Sequence, residues 1–214
     1  MNDYLKSESN LMRGGHRTRA AGFSLVELLV SMVITLVILG IAVISFSTTL
    51  GRRERETSRT DALTSAQAAL NIMSREIGNS GYGLTSNGLV LADCNEKRLH
   101  FRANTVNSGN SMATNSQGED VTFYYDSESQ SVVRYDAVSG TSGVINRVSD
   151  VDFLYYNYVS GAAPTQGAAA GNTGRVNITL KVILADVRGQ PAGQTLTISS
   201  DVTLRNSPYM LGQY

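Results

Sequence analysis

One acidic side chain stands at the edge of a long apolar stretch near the beginning of the chain. Glu27 follows Phe23-Ser24-Leu25-Val26, and the run from Leu28 to Gly51 contains no charged residue. A carboxylate within a membrane helix costs free energy and normally needs a partner. The position of Glu27 therefore predicts that its carboxylate forms an ion pair. The alternative is that its side chain snorkels to the cytoplasmic headgroups, because it lies near the end of the apolar run.

The other residues whose side chains could take part in catalysis or metal binding form no catalytic set. His16 and His100 are far apart in sequence, and Cys94 is the only cysteine, which excludes an internal disulfide and a cysteine-based zinc cluster. We interpret Cys94 as a structural thiol. The glycines are scattered and form no phosphate-binding loop. We therefore expect a protein that is not an enzyme and that uses no cofactor, metal or small-molecule substrate.

The apolar run is long enough to cross a bilayer as a helix, at about 1.5 Å per residue. Upstream, Arg13, Arg17 and Arg19 have no acidic neighbours, which predicts a cytoplasmic N-terminus by the positive-inside rule. The opposite flank, "RRERETSR" at 52–59, is also basic, so the positive-inside rule alone does not decide the orientation. A secretory signal cut near Ser47 and an uncleaved signal anchor remain alternatives.

Helical periodicity continues beyond the membrane run. Apolar residues recur every three or four positions, and no proline interrupts residues 23–79. The stripe consists of Leu63, Ala66, Leu70, Met73 and Ile77. We predict one helix from Phe23 to Ile77 whose second half packs on a globular domain. Gly40 is its weakest point by propensity and is either a place where the helix loosens or a close-packing position.

From Leu84 onward the pattern changes to strand periodicity. Strands are predicted at 97–103, 121–126, 131–136 and 148–159, and a hairpin joins 176–184 to 196–204. The segments 104–120 and 160–174 are predicted to be exposed loops. The expected fold is α+β: a long N-terminal helix packed on a mainly antiparallel β-sheet domain.

The start of the chain resembles a known signal. "GFSLVELLVSMVIT" is similar to the class III signal of type IV pilins and type II secretion pseudopilins, with Gly22, Phe23 and Glu27 at the family's positions. The resemblance implies that a prepilin peptidase cuts between Gly22 and Phe23 and methylates the new Phe23 amine. It also implies that Glu27 pairs with an N-terminal amine, its own or that of a neighbouring subunit, during filament assembly.

Three later segments resemble the PilW-type minor pilins and the related J-type pseudopilins. They are "LNIMSREIGNSGYGL", "VTFYYDSESQSVVRYD" and "LTISSDVTLRN". The resemblance implies a leader at 1–22, a transmembrane and filament-core helix at 23–50, its amphipathic continuation at 51–83 and a β-rich domain at 84–214. The implied fold is type IV pilin-like.

The implied role is to initiate or prime assembly of a type IV pilus. Expected partners are the prepilin peptidase, other minor and major pilins and the pilus assembly platform. The expected location is the bacterial inner membrane, with one pass, a cytoplasmic N-terminus and a periplasmic domain, before incorporation into a pilus at the cell surface.

Two other functions fit the same residues. One is a J-type pseudopilin of a type II secretion system, and the other is a membrane-anchored periplasmic binding or enzyme domain. The 214-residue chain has a formal net charge of zero, and removal of residues 1–22 makes it slightly negative. No nucleic-acid partner is therefore expected.

Overall fold

A computed structural model describes residues 22–106, 111–187 and 191–211. Almost all of the predicted leader, residues 1–21, lies outside the described residues. The chain divides into two compact units, with the boundary between Thr48 and Thr49.

The first unit is built on the apolar part of helix α1, which spans Leu25–Ile77. No proline interrupts this helix, and its turns run unbroken through Gly40. Every described residue from 22 to 50 is exposed, and the most apolar window has a mean hydropathy of 2.8. By length and composition this is a helix that could cross a membrane.

In the second unit, α1 contributes one face to a hydrophobic core. The buried residues of this face are Ala66, Ala69, Leu70, Met73 and Ile77. The predicted stripe is thus confirmed from Ala66 onward. It is wrong at Leu63, which is 37% exposed, because the core contact of the helix begins one turn later and Ala62 packs at its margin instead.

Two antiparallel four-stranded sheets complete the second unit. The first has the order β1-β2-β3-β4 and contains Arg98–Arg102, Asp120–Asp126, Ser131–Asp136 and Gly140–Asn146. The second has the order β6-β5-β7-β8, with β5 Val148–Asn157, β6 Thr165–Gly167, β7 Thr173–Ile183 and β8 Thr195–Thr203. A short helix α2, Pro208–Leu211, follows. The α+β fold with antiparallel pairing is therefore confirmed.

The sequence prediction missed two strands and expected one sheet. Strand β4 is rich in Gly, Ser and Thr, and Thr141, Ser142 and Gly143 are exposed, so it carries little apolar alternation. Strand β6 lies within the predicted loop 160–174, and that prediction is wrong at this point. All three residues of β6 are exposed, so backbone pairing to β5 defines the strand rather than side-chain burial.

Buried carboxylates hold the loops at the ends of β2 and β3. Asp136 is fully buried and accepts hydrogen bonds from the backbone N–H groups of Gly118 at 2.7 Å and Val138 at 2.8 Å. Glu119 is 1% exposed and accepts from the N–H groups of Val106 at 2.8 Å and Ser116 at 3.0 Å. Each carboxylate therefore supplies the hydrogen-bond acceptors that water would otherwise provide to these loop N–H groups.

The end of α1 is tied to the first sheet by an ion pair. Arg134 Nε on β3 lies 2.7 Å from Glu76 Oε2 in the last turn of the helix, and both side chains are less than one-quarter exposed. Arg134 also contacts Asp136 at 3.3 Å. The helix end, β3 and the buried carboxylate thus form one connected network.

Candidate processing and assembly site

Helix α1 begins with a reciprocal capping arrangement between Ser24 and Glu27. The Ser24 hydroxyl accepts a hydrogen bond from the Val26 N–H at 3.2 Å, and Glu27 Oε2 accepts one from the Ser24 N–H at 3.0 Å. This is a variant of the capping box in which the hydroxyl bonds to the second helical N–H rather than the third, and it satisfies N–H groups that have no partner within the helix. We did not predict this cap from the sequence, although the Ser-x-x-Glu pattern at 24–27 is its signature.

Glu27 uses only one of its carboxylate oxygens in this cap. Within the described residues, Oε1 has no hydrogen bond or ion pair, and the side chain is exposed. Phe23 precedes Glu27 by four residues, about one helical turn, and is 86% exposed. An amine at Phe23, or one on a neighbouring chain, would therefore find an oxygen that is not needed by the helix itself.

Gly22 and Phe23 lie just before the helix, in exposed backbone without regular structure. The structure thus places the predicted cleavage position outside the helical hydrogen-bonding pattern. A peptide bond in such a segment can enter a peptidase site without unwinding α1.

Hydroxyl groups farther along the apolar segment bond back to the preceding turn. Ser31 Oγ donates to the Glu27 carbonyl at 2.6 Å, Thr35 Oγ1 to the Ser31 carbonyl at 2.7 Å, and Thr48 Oγ1 to the Ser45 carbonyl at 2.9 Å. These polar groups are satisfied within the helix and need no partner in hydrocarbon. Glu27 differs because only its Oε2 has a partner within the helix, whereas Oε1 has none among the described residues.

The other candidate residues belong to the second unit. His100 sits between two carboxylates, with Nδ1 2.8 Å from Asp93 Oδ2 and Nε2 2.6 Å from Asp120 Oδ1. No motif in the sequence indicated this cluster. Burial raises the pKa of the Cys94 thiol, which disfavours the reactive thiolate. Among the described residues, no group of three or more His, Cys, Asp or Glu side chains is arranged to hold a metal.

Comparison with known proteins identifies the beginning of the chain. Residues 17–43 match the family described as "Prokaryotic N-terminal methylation motif". No curated protein and no solved structure matches the chain. The matched segment contains Gly22, Phe23 and Glu27, together with the first part of the exposed apolar helix. The chain therefore carries a prepilin-type N-terminal methylation signal, which indicates a membrane-anchored type IV pilin or pseudopilin processed by prepilin peptidase.

Proposed function

We propose that this protein is a minor type IV pilin of the PilW type. It is made as a prepilin in the bacterial inner membrane, with the N-terminus in the cytoplasm and the β domain in the periplasm. It acts by assembly and not by catalysis. Other minor pilins are its nearest partners, and together they initiate or prime the pilus on the assembly platform.

Residues 22–27 support the pilin part of this proposal, whereas the PilW type rests on the resemblance of the three later segments. Cleavage between Gly22 and Phe23 would leave a cationic, methylated amine one helical turn before Glu27. Ser24 directly follows Phe23 and is retained after this cut, so its N–H can still bond to Glu27 Oε2. Oε1 is then the oxygen that pairs with an N-terminal amine, either within the subunit or on an adjacent one. The pairing would neutralise two charges that are costly in an apolar environment.

The exposed apolar helix supports movement from membrane to filament. The side chains from Phe23 to Leu50 are exposed around the whole helix, including Leu29, Ile34 and Phe46. Such a surface is stable either in lipid or among apolar helices of other subunits. The same segment therefore serves first as the membrane anchor and later as part of the filament core.

The first test is the mass and N-terminal sequence of the protein recovered from membranes, with and without the prepilin peptidase. We expect a chain that begins at methylated Phe23 when the peptidase is present and one that retains residues 1–22 when it is absent. A chain that still begins at Met1 in the presence of the peptidase would indicate an anchored periplasmic domain. A cut near Ser47 would indicate a secreted domain.

A second measurement separates the pilus from the secretion system. Deletion of the gene should remove surface pili and twitching motility while leaving type II secretion intact. The reverse pattern would assign the protein to the J-type pseudopilins instead. Both results are compatible with processing at Phe23, so this experiment tests only the assignment to one machine.

A further inference from the structure

Three arginines line a groove just beyond the apolar segment. Arg52, Arg55 and Arg59 are spaced three and four residues apart on α1, which places them along one side of the helix. The groove has a volume of about 590 Å³ and also contains Leu184, next to β7, and Leu196 on β8. It therefore combines cationic groups with apolar side chains within the second unit.

The positive charge of this groove is only partly balanced among the residues that the structure describes. All three arginines are exposed, and within the described residues none has a hydrogen bond or an ion pair. Glu56 is the one acidic residue in the lining. The groove is therefore net positive, and its guanidinium groups are available to an external anion. Guanidinium binds phosphate through paired N–H donors.

The position of the arginines along α1 indicates that a phosphate bound in this groove would belong to a membrane lipid. Arg52 follows directly after the uncharged run that ends at Gly51. At about 1.5 Å per residue, Arg52 and Arg59 are roughly 10 Å apart along the helix axis. The headgroup region on each side of a bilayer is roughly 5–8 Å thick. When the apolar run occupies the hydrocarbon core, Arg52 and Arg55 lie at the level of the headgroups. Arg59 lies about one helical turn farther out, and its long side chain can reach back toward the phosphates.

We propose that the groove formed by Arg52, Arg55, Arg59, Leu184 and Leu196 binds the headgroup of an anionic phospholipid. The guanidinium groups would contact the phosphate, and the leucines would contact the glycerol and the first carbons of the acyl chains. This goes beyond the proposed pilin function, because it needs membrane insertion but neither cleavage nor filament assembly.

The test uses the uncleaved full chain in detergent micelles. Native mass spectrometry would record binding of phosphatidylglycerol and of phosphatidylethanolamine to the wild-type chain and to two triple variants. One variant carries Arg52→Gln, Arg55→Gln and Arg59→Gln. The matched control carries Arg75→Gln, Arg98→Gln and Arg205→Gln, three exposed arginines outside the groove that change the net charge equally.

We expect selective binding of phosphatidylglycerol by the wild-type chain. The groove variant should bind it at least about tenfold more weakly, and the control within about twofold of wild type. Inorganic phosphate should not displace the lipid. Circular dichroism should show the same helix content for all three chains, since the substituted side chains are exposed.

Four results would overturn the proposal. Equal binding of the two lipids would remove the anionic selectivity, and equal losses in both variants would reduce the effect to net charge. Displacement by inorganic phosphate would indicate a site for free anions. Unchanged lipid binding by the groove variant, together with loss of co-purifying minor pilins, would indicate a protein-binding groove. Because the uncleaved chain is used, these outcomes leave the proposed processing at Phe23 unaffected.

Discussion

At the residue scale, the two carboxylate oxygens of Glu27 have different surroundings. Oε2 accepts the Ser24 N–H and completes the cap of α1, whereas Oε1 is open within the described residues. A helix cap needs only an acceptor, and glutamine supplies one as well as glutamate does. Neutralising an amine requires the negative charge. The two roles can therefore be separated by substitution at this one position.

We predict that Glu27→Gln and Glu27→Ala impair filament assembly to a similar extent. Both remove the charge, and an unpaired amine in an apolar helix bundle should reduce incorporation at least about tenfold. The glutamine variant retains the capping box, while the alanine variant also loses about 1 kcal/mol of helix stability. The measurement is the amount of the protein in sheared pili relative to the amount in membranes.

Ser24→Ala provides the matched control, because it removes the hydroxyl of the cap but leaves the Glu27 charge in place. It should assemble nearly as well as wild type. If Glu27→Gln assembles normally while Glu27→Ala does not, the residue serves the cap and the ion-pair role is wrong.

At the element scale, Asp136 joins the end of β3 to the loop before β2. Its Oδ1 accepts the N–H groups of Val138 at 2.8 Å and Ser139 at 3.2 Å, and its Oδ2 accepts the Gly118 N–H at 2.7 Å. Burial would raise the pKa of this carboxyl. The backbone N–H donors and the Arg134 charge outweigh burial and lower the pKa below its ordinary value of 3.8.

We predict that Asp136→Asn destabilises the β domain by about 2–4 kcal/mol at neutral pH. In either orientation of the amide, an NH₂ group would face a backbone N–H that now has an acceptor. The measurement is the free energy of unfolding in urea. The control is Glu128→Gln, an exposed change of the same kind in the β2–β3 turn, which should stay within about 0.5 kcal/mol of wild type.

The loss of stability caused by Asp136→Asn should also depend on pH. A lowered pKa in the folded state means that the stabilisation is fully present above the unfolded value of 3.8 and is lost as the pH falls through the folded value. The difference between wild type and Asp136→Asn should therefore be constant from about pH 7 to 5 and shrink below about pH 4. A difference that grows on acidification would contradict this account of the carboxylate.

At the scale of the whole molecule, the core and the apolar segment do not share residues. Every buried core residue lies between Ala66 and Leu204, whereas the exposed apolar side chains from Phe23 to Leu50 take no part in it. The stability of the β domain should therefore not depend on residues before the arginines of α1.

We predict that a chain beginning at Thr49 is a soluble monomer with one cooperative unfolding transition. It retains the whole buried face of α1, from Ala66 to Ile77, and it loses the exposed apolar surface that would otherwise drive association. Size-exclusion chromatography and thermal unfolding followed by circular dichroism would measure both properties.

A chain beginning at Ser80 is the matched control, because it keeps both sheets but lacks the five buried residues of α1. It should aggregate or unfold without cooperativity, since the sheet face that these residues cover becomes exposed to water. Cooperative folding of the Ser80 chain, or aggregation of the Thr49 chain, would contradict the assignment of this helix face to the core.

Local patterns in the sequence determined the elements that they encode directly. The apolar run, the absence of proline and the stripe from Ala66 to Ile77 predicted α1 to within two residues of its start and at its end. Alternating apolar residues predicted β1, β2, β3, β5, β7 and β8, because side chains on one face of a strand recur every second residue. The prepilin signal at 17–43 is likewise a short local pattern.

Only the tertiary structure decided the features that join distant residues. Strands β4 and β6 are defined by backbone pairing with a neighbouring strand, which leaves little trace in their own side chains. The burial of Asp136, the carboxylates around His100 and the leucines opposite Arg52 and Arg59 depend on segments far apart in the chain. Periodicity reports which way a side chain points from its own element, but which groups surround it is determined by packing.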